Sequence, residues 1–156
     1  MLIRNARLIN EGSIKEVDVL VKGERIERID AGIPANGAET VIDANGMYLM
    51  PGMIDDQVHF REPGLTHKED LETGTRGAVL GGVTGVFEMP NTNPLTLWHE
   101  DLQAKLDAAQ GRAWCDYAFY IGGSGVNAKQ LQILETLPGC AGVKVFMGSS
   151  FGDLLA

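Results

Sequence analysis

From Pro51 onward the hydrophobic pattern switches repeatedly between the period of a strand and that of a helix, and this limits the fold more than any other feature. A strand-like run opens at Pro51-Gly52. Lys68 to Leu80 then reads as a helix, through Leu71, Thr75, Ala78 and Val79, with Gly81-Gly82 to end it. Val83 to Met89 is a second strand, stopped by Pro90. Leu97 to Gln110 is a second helix, with Leu102, Leu106 and Ala109 on one stripe. Trp114 to Ile121 is a third strand, Ala128 to Leu137 a third helix closed by Pro138-Gly139, and Ala141 to Met147 a fourth strand. Strands separated by helices run parallel, because each helix carries the chain back to the edge where the sheet began. The pattern predicts an α/β fold with a parallel sheet, open or closed into a barrel.

Residues 1–50 read differently. Leu2-Ile3 and Leu8-Ile9 are short apolar pairs, Val17, Val19 and Val21 alternate with Asp18 and Leu20, and Gly23 sits in a turn that leads into Ile26-Glu27-Arg28-Ile29. That is a hairpin pattern. After a Gly- and Pro-containing loop, Thr40 to Asp43 and Met47 to Met50 are again strand-like, split by Asn45-Gly46. This all-β segment is small for a core of its own and is expected to need strands from elsewhere.

The 156 residues carry a net charge of -8, with a pI near 4.8, and no Lys/Arg cluster. This argues against a nucleic-acid binder and against a binder of anionic membranes. No apolar run approaches transmembrane length, and Met1 to Leu8 lacks the apolar centre of a signal peptide. Cys115 and Cys140 lack CxxC spacing and read as buried, reduced thiols. A soluble, cytoplasmic protein is expected.

Chemistry concentrates in Ile54-Asp55-Asp56-Gln57-Val58-His59-Phe60-Arg61-Glu62-Pro63-Gly64. Strand alternation would put Asp55, Gln57, His59 and Arg61 on one face, and Ile54, Val58 and Phe60 on the other. At the carboxyl end of a barrel strand such a polar face opens onto the active site. His59 there is either a structural residue or a metal ligand. Lys144 interrupts the apolar strand Val143-Lys144-Val145-Phe146. It is either an edge lysine pointing to solvent or a buried lysine open to covalent chemistry. Pro90-Asn91-Thr92-Asn93-Pro94 follows the second strand and belongs to the same rim, as turn or as ligand loop. Gly122-Gly123-Ser124-Gly125 lacks the features of a phosphate-binding loop and reads as a βα turn. His67 and His99 read as surface residues.

The first of these runs, together with Met89-Pro90-Asn91-Thr92-Asn93-Pro94 and Gly142-Val143-Lys144-Val145-Phe146-Met147, resembles the cyclic amidohydrolases, and among them the dihydroorotases. The resemblance implies the N-terminal part of a TIM-like (β/α)8 metal-dependent hydrolase barrel, begun by residues 51–156. It also implies a small composite β-sandwich to which residues 1–50 contribute. It implies one or two zinc ions, with His59 as a ligand and Lys144 carboxylated by carbon dioxide to bridge the metals. Arg61 and Asn91 would hold the substrate's carboxylate. Hydantoinases usually lack an arginine at the position of Arg61 and allantoinases tend to carry Asn there, so Arg61 points to dihydroorotate, whose carboxylate a guanidinium grips bidentately.

The implied reaction is the reversible, metal-assisted hydrolysis of dihydroorotate to carbamoyl aspartate in pyrimidine biosynthesis, with a proton-shuttle Asp that lies outside this chain. The alternatives are a non-catalytic, dihydroorotase-like scaffold subunit, or another cyclic amidohydrolase such as an allantoinase. Two departures from the family pattern stand out. Gln57 replaces the first residue of the family's His-x-His pair, and an amide is a weak zinc ligand. The chain is also about half the length of a closed barrel, which needs about 250 residues. Alone it is expected to be an inactive open sheet that needs a complementing C-terminal half, or to act within a homo-oligomer.

Overall fold

In the computed structural model, which describes residues 1–148 and 154, the chain divides into two units, Met1–Pro51 and Gly52–Ala156. The first unit contains β1 (Leu2–Asn10), β2 (Ser13–Lys22), β3 (Arg25–Asp30), β4 (Val41–Asp43) and β5 (Tyr48–Leu49). They form one mixed sheet in the order β3-β2-β1-β4, with β5 also paired to β1. β1 lies antiparallel to β2 and parallel to β4 and β5. The hairpin expected around Gly23 is present, with Lys22 opposite Arg25 and Gly23 at φ +58°, as a two-residue turn requires.

Leu2-Ile3 and Leu8-Ile9 belong to one strand rather than two. The pairing slips between Ile3 and Ala6, where Asn5 takes φ +55° and its N–H donates to Asp18 Oδ1 at 2.9 Å. Asp18 is buried because its other oxygen also has a donor, the Ile33 N–H at 2.8 Å. Among the described residues this unit holds a single sheet layer. One side keeps an apolar hollow of about 240 Å³, lined by residues that include Ile3, Leu8, Ile26, Ile29 and Met50.

The second unit is the α/β part. Strands β6 (Met53–Val58), β7 (Val83–Glu88), β8 (Asp116–Gly123) and β9 (Cys140–Val145) are parallel and lie side by side in sequence order. Between them come α1 (Leu71–Leu80), α2 (His99–Ala109) and the single turn α3 (Leu131–Leu134). Phe60, Leu71, Val86, Leu102, Ala109, Phe119, Ile121 and Leu134 form the core between sheet and helices. Each large side chain of this set contributes about 2 kcal/mol when taken fully out of water.

The helix starts are decided by side chains that claim backbone N–H groups. α1 begins at Leu71 rather than Lys68 because Asp70 caps it, with Oδ1 accepting from the Thr73 N–H at 2.8 Å. α2 begins at His99 because Asp101 turns back to the N–H groups of Leu97 and Trp98, at 3.0 and 2.9 Å, and holds both outside the helix. The third helix shrinks to one turn beside the buried Asn127. That side chain accepts from the Ser124 N–H and donates to the carbonyls of Gly122 and Leu97. Cys115 and Cys140 are free and half-buried rather than fully buried. Burial raises the Cys115 thiol above its usual pKa, and the neighbouring Asp116 adds to this. Among the described residues no helix is long and apolar enough to cross a membrane.

Candidate functional site

Strand β6 ends at Val58, so His59 and Arg61 lie just past its carboxyl end, in the loop that leads to α1. The shared strand face expected for Asp55, Gln57, His59 and Arg61 does not form: the pairing of β6 with β7 slips between Asp55 and Val58, where the Gln57 N–H turns to Asp55 Oδ1, and His59 and Arg61 lie beyond the strand. The reason is local. Phe60 turns into the core and is 9% exposed, packed so closely on α1 that a Cβ at Gly74 would overlap its ring. Arg61 then takes φ +70°, a conformation costly for a side chain of its size, and the strand cannot continue.

The same loop is pinned from both sides. Glu62 accepts from the Leu71 N–H at 2.9 Å and pairs with Arg112 through contacts of 2.8 and 3.2 Å. Burial works against the Glu62 carboxylate, but the bonds from Arg112 and Leu71 outweigh it and hold its pKa below the usual range. The Asn93 N–H donates to the Pro63 carbonyl at 3.1 Å, joining this loop to the one after β7. At that junction Gly64, at φ +85°, leaves no room for a Cβ against the Asn93 carbonyl.

The two rim loops meet chemically at His59 and Asn91, with Nδ1 2.8 Å from Oδ1. An oxygen partner requires Nδ1 to donate, which leaves the lone pair of Nε2 available. Burial lowers the His59 pKa below 6.5; the bond to Asn91 opposes this, and the charges of Arg61, Lys144 and Lys105 reinforce it. The lowered pKa favours the neutral imidazole. Lys144 lies in β9 opposite Gly122 of β8, half-buried, with Nζ 5.3 Å from the centre of the Phe146 ring. Among the described residues it has no carboxylate partner.

Gln57 stays in β6 and is exposed. Its N–H donates to Asp55 Oδ1 at 3.1 Å, and its side-chain amide bonds to nothing among the described residues. His67 and His99 are exposed, as expected. Among the described residues no three His, Cys, Asp or Glu side chains come together to hold a metal ion. One imidazole, one amide and one lysine do not make a metal centre by themselves.

Four residues of this region were not singled out from the sequence: Glu62, Arg112, Glu88 and Lys105. The last two form a buried ion pair, Nζ to Oε2 at 2.8 Å, with each side chain 1% exposed. A signal for them existed. Lys105 stands three residues after Leu102 and four before Ala109, on the buried stripe of α2, and Glu88 is the one charged residue in β7.

Residues 46–127 match the family model described as dihydro-orotase-like. Allantoinases of Salmonella paratyphi B and Salmonella newport are each 37% identical over 150 residues, which is 96% of this chain and 32% of theirs. The L-hydantoinase (dihydropyrimidinase) of Arthrobacter aurescens superimposes with a TM-score of 0.92 at 31% identity, over 99% of this chain and 34% of that enzyme. The dihydropyrimidinase of Brevibacillus agri does so with a TM-score of 0.84 at 33% identity and the same coverage. The chain thus spans about a third of the length of these relatives.

Proposed function

We propose that this chain, which belongs to the dihydro-orotase-like family, is the amino-terminal part of a cyclic amidohydrolase that binds its ring substrate at the rim of His59, Arg61, Asn91 and Lys144. The observation that carries the reading is the bond between His59 and Asn91, with the charges of Arg61 and Lys144 acting on the same imidazole. A half-buried histidine tied to an amide across two loops, at the carboxyl ends of parallel strands, stands where such sheets bind their ligands.

Likeness to allantoinases and hydantoinases favours a neutral cyclic ureide or hydantoin ring as substrate. Dihydroorotate is the second reading, and Arg61 is what favours it. A guanidinium serves an anionic ring carrying a carboxylate and has no counterpart to grip on an uncharged one. In either case the chain's own contributions are the same in kind. His59 presents its Nε2 towards the rim, Asn91 orients that ring, and Arg61 and the Nδ2 of Asn91, which has no partner among the described residues, bind substrate.

The zinc centre implied for this family would draw on His59 and a carboxylated Lys144 here, with Gln57 a weak donor at most. Since these donors fall short of a complete centre, no step of the reaction is assigned to a metal. In architecture we propose the opening half of a (β/α)8 barrel, supported by four parallel strands in sequence order with helices between them. We also propose that the sheet of residues 1–50 is one layer of a β-sandwich, supported by its open apolar side. A cytoplasmic protein with a small-molecule substrate, working as a homo-oligomer or with a complementing C-terminal half, completes the proposal.

The test is hydrolysis of dihydroorotate, allantoin and hydantoin by the full-length protein, measured side by side with bound zinc. Opening of at least one ring is expected. If dihydroorotate is the substrate, Arg61→Met should lower its kcat/KM by about 10- to 100-fold, the value of a charge-assisted bond. A full-length protein that is metal-free and opens none of the three rings would sink the enzyme reading and favour the scaffold.

A further inference from the structure

Val86 and Glu88 alternate onto the side of β7 that faces the helices, so the Glu88 carboxylate lies under the rim and away from the proposed substrate side. Lys105 reaches it from α2, and the same ammonium donates to the Met89 carbonyl at 3.2 Å and stands 5.3 Å from the centre of the Phe119 ring. Burial raises the Glu88 carboxyl above the usual carboxylate range and lowers the Lys105 ammonium below the usual lysine range, and each is the other's counter-charge. A pair this buried is a poor source of stability, since apolar residues of similar volume commonly do as well. Its placement suggests another use.

Glu88 is paired in register with Val58, and the Met89 N–H donates to the Val58 carbonyl at 3.0 Å, so the end of β6 lies beside the strand position of Glu88. Its second oxygen, Oε1, is buried and makes no hydrogen bond of good geometry among the described residues. After burial and Lys105, the backbone amides of Arg61 and Phe60 are the remaining influences on this carboxyl, and both favour its ionised form. Arg61 holds φ +70° at that point. Successive amides turned by a residue in this region form a concavity that attracts an anion.

We propose that Glu88, paired with Lys105, is the anion that holds the Phe60–Arg61 turn, making this buried pair a positioning device for the His59 and Arg61 side chains on the rim. The claim that these side chains then meet substrate rests on the function proposed above, whereas the claim about the turn does not.

The experiment uses full-length protein carrying Glu88→Gln together with Lys105→Met, which removes both charges and leaves neither buried alone. Amide hydrogen exchange at Phe60 and Arg61 is expected to accelerate at least about tenfold, with Phe119 and Ile121 of β8 unchanged, because the change acts through the turn and not through global stability. In the same variant kcat/KM for the ring substrate should fall with Arg61 still present. Unchanged exchange at Phe60 and Arg61, or an equal acceleration in β8, would overturn the proposal. Should the double variant fail to fold, Glu88→Asp keeps the charge and withdraws it from the amides. Selective acceleration at the same two positions is then expected, and its absence overturns the proposal. A wild-type protein without ring hydrolysis would remove the enzymatic reading and leave the exchange result to decide the turn.

Discussion

The imidazole of His59 is held by the side chain of Asn91, Nδ1 to Oδ1 at 2.8 Å, across the two loops that follow β6 and β7. This bond raises the His59 pKa against burial, which lowers it. In metal-free protein His59 should titrate below 6.5, and lower still in Asn91→Ala, when followed by the NMR shifts of its ring protons. The unfolded chain takes up this proton near 6.5, before the folded chain does. The residue's contribution to stability is thus complete above that pH and lost as pH falls through the folded value. A rise on removing Asn91 would contradict the assigned bond.

Glu62 and Arg112 clamp the loop that carries Arg61. Replacing Arg112 by Ala should cost about 1 kcal/mol at pH 7, since the pair is bidentate and only partly exposed. The Glu62 carboxyl lies below 4.5 in the folded state, so the pair stabilises above that pH and its contribution disappears as pH falls through the folded value. Urea denaturation of wild type and Arg112→Ala should therefore differ at pH 7 and converge in acid. A gap that stays constant with pH would show that Arg112 acts through packing instead.

Gly74 is the seat of the Phe60 ring. Gly74→Ala should destabilise by about 1–3 kcal/mol, the usual cost of overpacking, despite the better helix propensity of Ala. Phe60→Leu should cost less in the Gly74→Ala background than in wild type, because the smaller side chain relieves the overlap. A thermal double-mutant cycle reads this coupling, and strict additivity would mean that the two residues do not compete for the same space.

Gln57 stands two residues before His59, where a histidine would complete a His-x-His pair. Gln57→His in the full-length protein should raise bound zinc, measured by elemental analysis after equilibrium dialysis, because imidazole is a far better zinc ligand than an amide. Unchanged metal content would count against Gln57 occupying a ligand position at all.

The alternation of strand and helix beyond Pro51 was legible in the residues, because period 2 and period 3.6 are local properties of the backbone. The parallel sheet followed from it. The motif around His59, Asn91 and Lys144 was legible too, as residue types in a familiar order. The helix starts were missed by a few residues, because Asp70 and Asp101 claim particular N–H groups and periodicity does not register that competition. The strand extrapolated through Arg61 stops at Val58 for a similar reason: alternation says nothing of Phe60 turning onto Gly74 or of Arg61 entering a left-handed conformation.

By itself, then, the sequence determined the α/β pattern, the all-β opening segment and the residues able to carry chemistry, since each depends on neighbours along the chain. Only the tertiary structure decided that His59 commits its Nδ1 to Asn91, that Glu62 meets Arg112 fifty residues away, and that Glu88 and Lys105 neutralise each other beneath the rim. Each of these contacts joins separate elements, so it exists only once the sheet and helices have packed; for Glu88 and Lys105 that packing also removes the water that would otherwise satisfy the charges.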